Sequence, residues 1–308
     1  MNERFPAGLE RRLQRNRLTR RDVLWLFGAA AAAGSLSGCA TSPVTGQRIL
    51  VGMSEEQERQ VDREVAPHQF SQDMGAVQDD GVNRYVAGLG GQMQPLTQRP
   101  HMPYSYRVVN ANYINAYTFP AGAMAVTRGI MTELESEAEL AALLGHEMGH
   151  VNARHAAQRQ GQAMLAQAAV AGLAVAAAAT DSPWGGLAVV GGQIGASALL
   201  ASYSRENERE ADALGQDYMV KAGYPASGMT ELHGLLLRES RETPSLLETM
   251  FSSHPMSSER VANAQRLAET KYAGSLSASP RRERYMDNTA GLRKIKPAID
   301  ACKKGEVA

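Results

Sequence analysis

The chemistry in this chain is concentrated at His146, Glu147 and His150, a His-Glu-x-x-His set inside the stretch Ala-Ala-Leu-Leu-Gly-His-Glu-Met-Gly-His-Val-Asn-Ala-Arg-His, residues 141–155. Strong helix formers precede it. Residues four apart on an α-helix lie about 40° from one another, so two imidazoles can converge on one ion. Zinc takes nitrogen ligands at about 2.0–2.1 Å, and a hydrolytic site holds it with three protein ligands and leaves one position for water. Glu147 stands beside the first histidine, where its carboxylate can take that water's proton. The spacing therefore predicts a helix that binds one zinc ion for metal-assisted hydrolysis. The plainer alternative is a pair of buried histidines bonded to backbone, and a third ligand elsewhere in the chain would decide between the two.

His155 is the nearest further imidazole and fails on geometry. It lies nine residues after His146, about 180° around an unbroken helix, and so faces away. A pattern with a glycine three residues after the second histidine and another histidine three later is excluded, because Ala153 and Ala156 stand there. The third ligand must come from another segment, and Ser202 to Gly215 offers one. Glu208 and Asp212 are four apart on a common helix face. Glu208 can bind zinc, and Asp212 can accept a hydrogen bond from the far nitrogen of a ligand histidine, fixing its tautomer and raising its basicity. Glu206 and Glu210 are also available, so the residues alone leave the register open. A solvated face laced with ion pairs to Arg205 or Arg209 is the ordinary alternative.

Four blocks in order carry a family resemblance. His146-Glu147-x-x-His150 and Ser204-Arg205-x-x-Glu208-x-x-Ala211-Asp212 stand with Asn115-Ala116-Tyr117-x-x-Pro120-x-Gly122 and Ser253-His254-Pro255-x-x-x-x-Arg260. Together they are similar to the gluzincin metallopeptidases of the HtpX and CAAX-prenyl-protease family, from about Pro43 to Glu269. The resemblance is closest to the exported bacterial lipoprotein branch, that of the beta-barrel assembly-enhancing proteases. It implies an α+β, mostly helical, zincin-like fold with a small β-sheet, an edge strand and an active-site helix. It implies zinc on His146, His150 and Glu208, Glu147 as catalytic base, and Asp212 and Arg260 behind the ligands. His254 matches a family histidine near the metal, which either steadies the oxyanion or occupies the open metal position in a latent state. The implied activity is endopeptidase cleavage of extended, unfolded or misassembled envelope proteins. The alternative is a latent protease acting mainly as a chaperone-like factor beside the outer-membrane assembly machinery.

These residues need a frame, and the flanking sequence supplies its outline. Ser54 with Gln57 opens a helix to about Gln72 in capping-box fashion, and a second helix covers about Asp79 to Met93. After a loop from Pro95 to Pro103, a strand is expected at Tyr104–Val109, then two short strands at Ala116–Phe119 and Ala123–Thr127 around a Pro120-Ala121-Gly122 turn. A proline at a strand end suits a sheet edge, and an edge can hold an extended peptide through its backbone. Asn115, Ala116 and Tyr117 are the expected substrate edge. The active helix is expected at Glu133–Gln158, entered through an acidic first turn that suits the helix dipole. Helices at about 205–222, 226–240 and 257–271 follow, and the cluster Arg281-Arg282-Glu283-Arg284 reads as solvated charge. No 34-residue repeat comes after them. Between the zinc-binding blocks, Ala163–Ala179 and Leu187–Ala201 are alanine- and glycine-rich runs of 17 and 15 residues. They are too short and too poor in leucine for spans, and a closely packed hairpin that covers the cleft as a lid is expected.

The N-terminus reads as an address. A basic stretch leads into the apolar run Val23–Leu36 and then Leu36-Ser37-Gly38-Cys39. Fourteen helical residues rise about 21 Å, short of a hydrocarbon core of about 30 Å, so this is a signal core and not a span. Leu-Ser-Gly-Cys resembles a lipobox with Cys39 as the lipidated residue, and Arg20-Arg21 fits either a twin-arginine signal or an ordinary basic region. Neither Ala40 nor Thr41 is the aspartate that favours inner-membrane retention, so the expected location is the periplasmic face of the envelope, anchored by lipid to the outer membrane. The expected organisation is 1–38 signal peptide, 39–53 tether, 54–272 metallopeptidase domain and 273–308 C-terminal extension. The net charge of zero argues against nucleic acid as a partner, and because residues 1–38 hold seven of the 32 basic and three of the 32 acidic side chains, the remainder stands at −4. Cys302 is then the only cysteine with a free thiol.

Overall fold

The computed structural model describes residues 38–180, 203–242 and 254–294. Residues 1–37, expected as part of a signal peptide, the run Leu187–Ala201, Ser253 and Cys302 lie outside the described residues. Among these, residues 38–40, 48–54 and 157–180 fall in one compact unit, and 41–47, 55–156, 203–242 and 254–294 in the other.

In the smaller unit the segment expected as a tether forms a short ribbon of β1 (Cys39–Thr41) and β2 (Arg48–Leu50), with Cys39 exposed. Gly52 donates its N–H to the Ala157 carbonyl at 2.7 Å.

The larger unit holds a three-stranded sheet of β3 (Ser105–Val109), β4 (Ala116–Thr118) and β5 (Ala123–Thr127), in the order β3-β5-β4. The sequence Ala-Met-Ala-Val-Thr of β5 is buried throughout, as a central strand requires. It runs parallel to β3, with Ser105 opposite Ala123, and antiparallel to β4, with Ala116 opposite Val126. The turn between β4 and β5 needs Gly122: its φ is +105°, and an added Cβ would lie 2.6 Å from the Tyr104 ring. Asp62, on α1 (Glu55–Gln72), accepts the N–H of Ala121 at 2.9 Å and that of Ala123 at 2.8 Å, so α1 clamps this hairpin. Asp73, just past α1, accepts from the hydroxyls of Tyr113 and Tyr117.

Helix α2 (Asp80–Met93), capped by Asp79, presents Val82, Val86, Leu89 and Met93 to the core. Thr127 ends β5 and caps α3 (Arg128–Glu133). Then come α4 (Glu137–Asn152) and α5 (His155–Thr180), and the helices α6 (Arg205–Lys221), α7 (Ser227–Glu242), α8 (Ser258–Glu269) and α9 (Arg282–Arg293). One apolar core joins Met124 and Val126 of β5, Leu140, Leu144 and Met148 of α4, Tyr218 of α6, Leu232 and Leu236 of α7, and Tyr285 and Leu292 of α9. No helix among the described residues is long and apolar enough to cross a membrane.

Two expectations are corrected. The single active helix over Glu133–Gln158 is three helices, interrupted at 134–136 and again at Ala153-Arg154, where Arg154 adopts φ +58°. Residues expected as a C-terminal extension contribute α9 to the core, where Tyr285 is fully buried. Arg281 and Arg284 are likewise not free surface charge. Their guanidinium groups reach Glu137 Oε1 at 3.0 and 3.2 Å, and Glu137 also accepts from the hydroxyls of Tyr85 and Tyr224 at 2.8 and 2.6 Å. A buried carboxylate needs such partners, and here they tie the C-terminal helix to the first turn of α4.

Candidate active site

Helix α4 starts cleanly because Ser136 caps it, accepting from Glu139 N–H at 3.2 Å, while Glu139 accepts from Glu135 N–H at 2.7 Å. All of its residues are buried. The packing of α4 on α6 is set by small residues. A Cβ on Gly145 would lie 2.7 Å from the Gly215 carbonyl oxygen, and one on Gly149 would lie 2.7 Å from that of Ala211. Gly145 and Gly149 are one turn apart, as are Ala211 and Gly215, so two smooth faces let the backbones touch. That close approach delivers the side chains of Glu208 and Asp212 to the histidines of α4.

Four buried ligand atoms, one each from His146, His150, Glu208 and His254, lie within 4.8 Å of one another. His146 Nε2 is 3.1 Å from His150 Nε2 and 3.3 Å from His254 Nδ1. Glu208 Oε1 is 3.0 Å from His254 Nδ1 and 3.4 Å from His150 Nε2, and Glu208 Oε2 is 3.5 Å from His146 Nε2. A tetrahedral ion with bonds of about 2.0–2.1 Å holds its ligand atoms about 3.3–3.4 Å apart. These separations are close to that edge length, and the donor set of three imidazoles and one carboxylate suits zinc. Both carboxylate oxygens of Glu147 are buried without a hydrogen-bond partner, an arrangement that is costly unless a further group belongs between them and the cluster. The residues fit a metal.

Behind the ligands, Asp212 Oδ1 stands 2.8 Å from His146 Nδ1. Arg260, on α8, grips the Asp212 carboxylate with two hydrogen bonds of 2.8 and 2.7 Å and places Nη1 2.8 Å from Glu208 Oε2. Ser257 caps α8 at the Arg260 N–H, which fixes where that side chain starts. His233 of α7 brings Nε2 to 3.1 Å from the same Asp212 oxygen, and the Tyr203 ring stacks on His150 at 4.2 Å between centroids.

The electrostatics follow from burial and neighbours. Burial pushes the Glu147 carboxyl upward, with only partial opposition from His254 and His146. Burial also takes His150 well below the usual imidazole range, which keeps it neutral. His146 moves the other way: burial disfavours its charge, but Asp212 and Glu208 outweigh that. Despite burial, Glu208 is held well below the carboxylate range by His254 and His150, and Asp212 by His233 and Arg260. A neutral imidazole and an ionised carboxylate are the forms that bind metal.

The structure therefore brings His146, Glu147, His150, Glu208, Asp212, His254 and Arg260 into one buried cluster. Asn115 and Ala116 are buried and Tyr117 half-buried, at and just before β4, which is an outer strand of its sheet among the described residues and packs against α4. His155 is a correction. It was expected to face away on an unbroken helix, yet its Nδ1 is 2.9 Å from His150 Nδ1, because the left-handed turn at Arg154 restarts the helix in a new direction. His233 and Tyr203 were not singled out from the sequence. Only their residue type could have flagged them, since neither lies in a spaced pattern with the ligands.

Comparison with known proteins gives a consistent picture. The model of peptidase family M48 matches residues 81–268. The chain is similar to the beta-barrel assembly-enhancing protease of Yersinia pestis, 28% identical over 62% of this chain and 40% of that protein. It is also similar to two Escherichia coli proteins: metalloprotease YcaL, 31% identical over 55% of this chain and 64% of that one, and metalloprotease LoiP, 30% identical over 52% and 60%. The chain spans less than half the length of the assembly-enhancing relatives it matches.

Proposed function

This chain belongs to peptidase family M48, and from that membership we propose that it is a zinc-dependent endopeptidase of the bacterial cell envelope. The observation that carries the proposal is the set of four buried ligand atoms within 4.8 Å of one another, beside an unpartnered, buried Glu147. His146, His150 and Glu208 would hold one zinc ion. When bound, the ion supplies Lewis-acid polarisation of the scissile carbonyl and acidification of a water. The chain does the rest. Glu147 takes the proton of the attacking water and passes it to the leaving nitrogen, a role suited by a carboxyl whose affinity for protons is raised. Asp212, clamped by Arg260, holds His146 in the tautomer that turns Nε2 to the metal. The β4 edge at Asn115, Ala116 and Tyr117 receives an extended substrate by backbone pairing.

The finer assignment is to the gluzincin branch of HtpX and CAAX-prenyl-protease type, in its exported lipoprotein form. Cys39 carries the lipid, and the metallopeptidase domain faces the periplasm from the outer membrane. Unfolded or misassembled envelope proteins are the substrates. Relatives named for beta-barrel assembly and the lipobox support that setting.

A second reading has its own observation. His254 Nδ1 stands among the three ligands, 3.0 Å from Glu208 and 3.3 Å from His146, where it could close the position that a zinc ion would leave to water. In this reading the enzyme is latent, with His254 closing the metal position, and it serves mainly as an assembly factor until opened. Zinc content and casein cleavage of wild type, His254→Ala and Glu147→Gln test both. Both readings expect stoichiometric zinc in all three and no cleavage by Glu147→Gln; the first expects cleavage by wild type, and the second expects little by wild type and more by His254→Ala. Cleavage retained by Glu147→Gln refutes the base. An active wild type that His254→Ala silences refutes latency.

A further inference from the structure

His146 and His150 are held from behind by different chemistry. A carboxylate stands behind His146, while another imidazole stands behind His150. His155 is buried, with Nδ1 2.9 Å from His150 Nδ1 and Nε2 3.2 Å from Glu210 Oε2. Two ring nitrogens at that separation must share a single hydrogen, so one donates and the other accepts.

We infer that His155, backed by Glu210, is the positioning residue that fixes the orientation and tautomer of His150. The inference rests on the metal reading above and goes beyond it. His150 turns Nε2 to the cluster, so its ring hydrogen is on Nδ1 and is donated to His155 Nδ1. His155 then carries its own hydrogen on Nε2 and donates it to Glu210 Oε2. The chain Glu210–His155–His150 has one direction, and each member has one role. In an unbroken helix, five residues turn through about 500°, which would leave His155 about 140° from His150. The left-handed turn at Arg154 removes that separation. The second register that the sequence left open, Glu210, thus finds a place behind the site and not in it.

The test measures the zinc dissociation constant of the full chain by chelator competition, with thermal melting as a check on folding. The visible spectrum of the cobalt-substituted protein reports the ligand geometry. His155→Phe keeps the ring volume but can neither accept nor donate. We expect it to bind zinc about 10–100-fold more weakly than wild type and to shift the cobalt bands. His155→Asn places an amide oxygen near the position of Nδ1 and should recover most of the affinity. Should His155→Phe not fold, Glu210→Leu serves instead, because Glu210 is about one-third exposed and tolerates change. It should weaken zinc binding by less than His155→Phe would. Zinc-loaded wild type with unaltered affinity and spectrum in His155→Phe or Glu210→Leu overturns the inference while the metal reading stands. Equal losses in the Phe and Asn variants overturn it as well, since packing and not the acceptor would then be responsible. A wild type that takes up no zinc overturns the metal reading and this inference with it.

Discussion

Replacing Gly149 by alanine tests whether the glycine seam between α4 and α6 builds the site. The added Cβ would lie 2.7 Å from the Ala211 carbonyl oxygen and 2.8 Å from Ala211 Cα, against ordinary contacts of 3.4–4 Å. Both neighbours are backbone, so no side chain can swing aside, and the helices must part by about 0.7 Å. Glu208 and Asp212 ride on α6, and a metal site tolerates displacements of only about 0.2 Å in its bonds. Overpacking costs about 1–3 kcal/mol. Alanine returns about 1 kcal/mol of helix propensity, which leaves a net loss of about 2 kcal/mol at the upper end and a fall in Tm of about 4–8 °C. Gly88→Ala is the control. Gly88 is exposed within α2 and an added Cβ there meets nothing within 4 Å, so the same substitution should raise stability by about 0.5–1 kcal/mol. Melting curves and zinc competition on both variants decide the matter. A Gly149→Ala protein that matches wild type in Tm and zinc affinity would refute the seam as the builder of the site.

Two further predictions concern a ligand and a buried carboxylate of α1. Glu208→Ala should weaken zinc binding far more than Glu206→Ala, because Glu208 is buried among the histidines while Glu206 is exposed and pairs with Arg209; equal losses in a competition assay would sink the ligand register. Burial raises Asp62 from an ordinary value near 3.8 to about 6 even though it accepts two backbone N–H groups. The native state therefore holds this proton more tightly than the unfolded chain, and its contribution to stability falls as pH rises from about 4 to about 6. Across that interval wild type should lose stability relative to Asp62→Asn in melting experiments, and parallel curves would contradict it.

The sequence made some layers of this molecule readable and hid others for physical reasons. Helix starts at Ser54 and Asp79 and the hairpin around Gly122 were legible, because caps and turns are local chemistry. His146, Glu147 and His150 were legible because their spacing is fixed by one helix. Glu208 was reached only through a resemblance, since Glu206 and Glu210 offer the same carboxylate and the choice depends on how α6 meets α4. Gly145, Gly149 and Gly215 encode that meeting, but a glycine in a helix does not announce which partner it faces. The break at Arg154 could not be read at all. Arginine has no preference for a left-handed turn, so periodicity ran the helix through it and sent His155 to the wrong side.

The cause of that break lies far away in the chain. A left-handed conformation costs a non-glycine residue about 1–2 kcal/mol, so something must hold it. Arg154 Nε donates to Glu58 Oε1 at 2.9 Å, and Glu58 Oε2 accepts from Arg99 Nη2 at 2.5 Å, all three residues being buried. Arg99 also donates from Nη1 to the Val151 carbonyl at 2.7 Å and from its backbone N–H to Asn152 Oδ1 at 2.6 Å. Its charge therefore sits on the last carbonyls of α4, where the helix dipole favours a cation. Deleting Glu58 would remove the buried carboxylate that Arg99 and Arg154 share, a loss of about 3–5 kcal/mol that exceeds the strain at Arg154. The balance fixes where α4 stops and α5 begins. Through it, a glutamate on α1 determines that His155 stands behind His150, so the geometry of the site is set as much by this buried charge network as by the helix that bears the ligands.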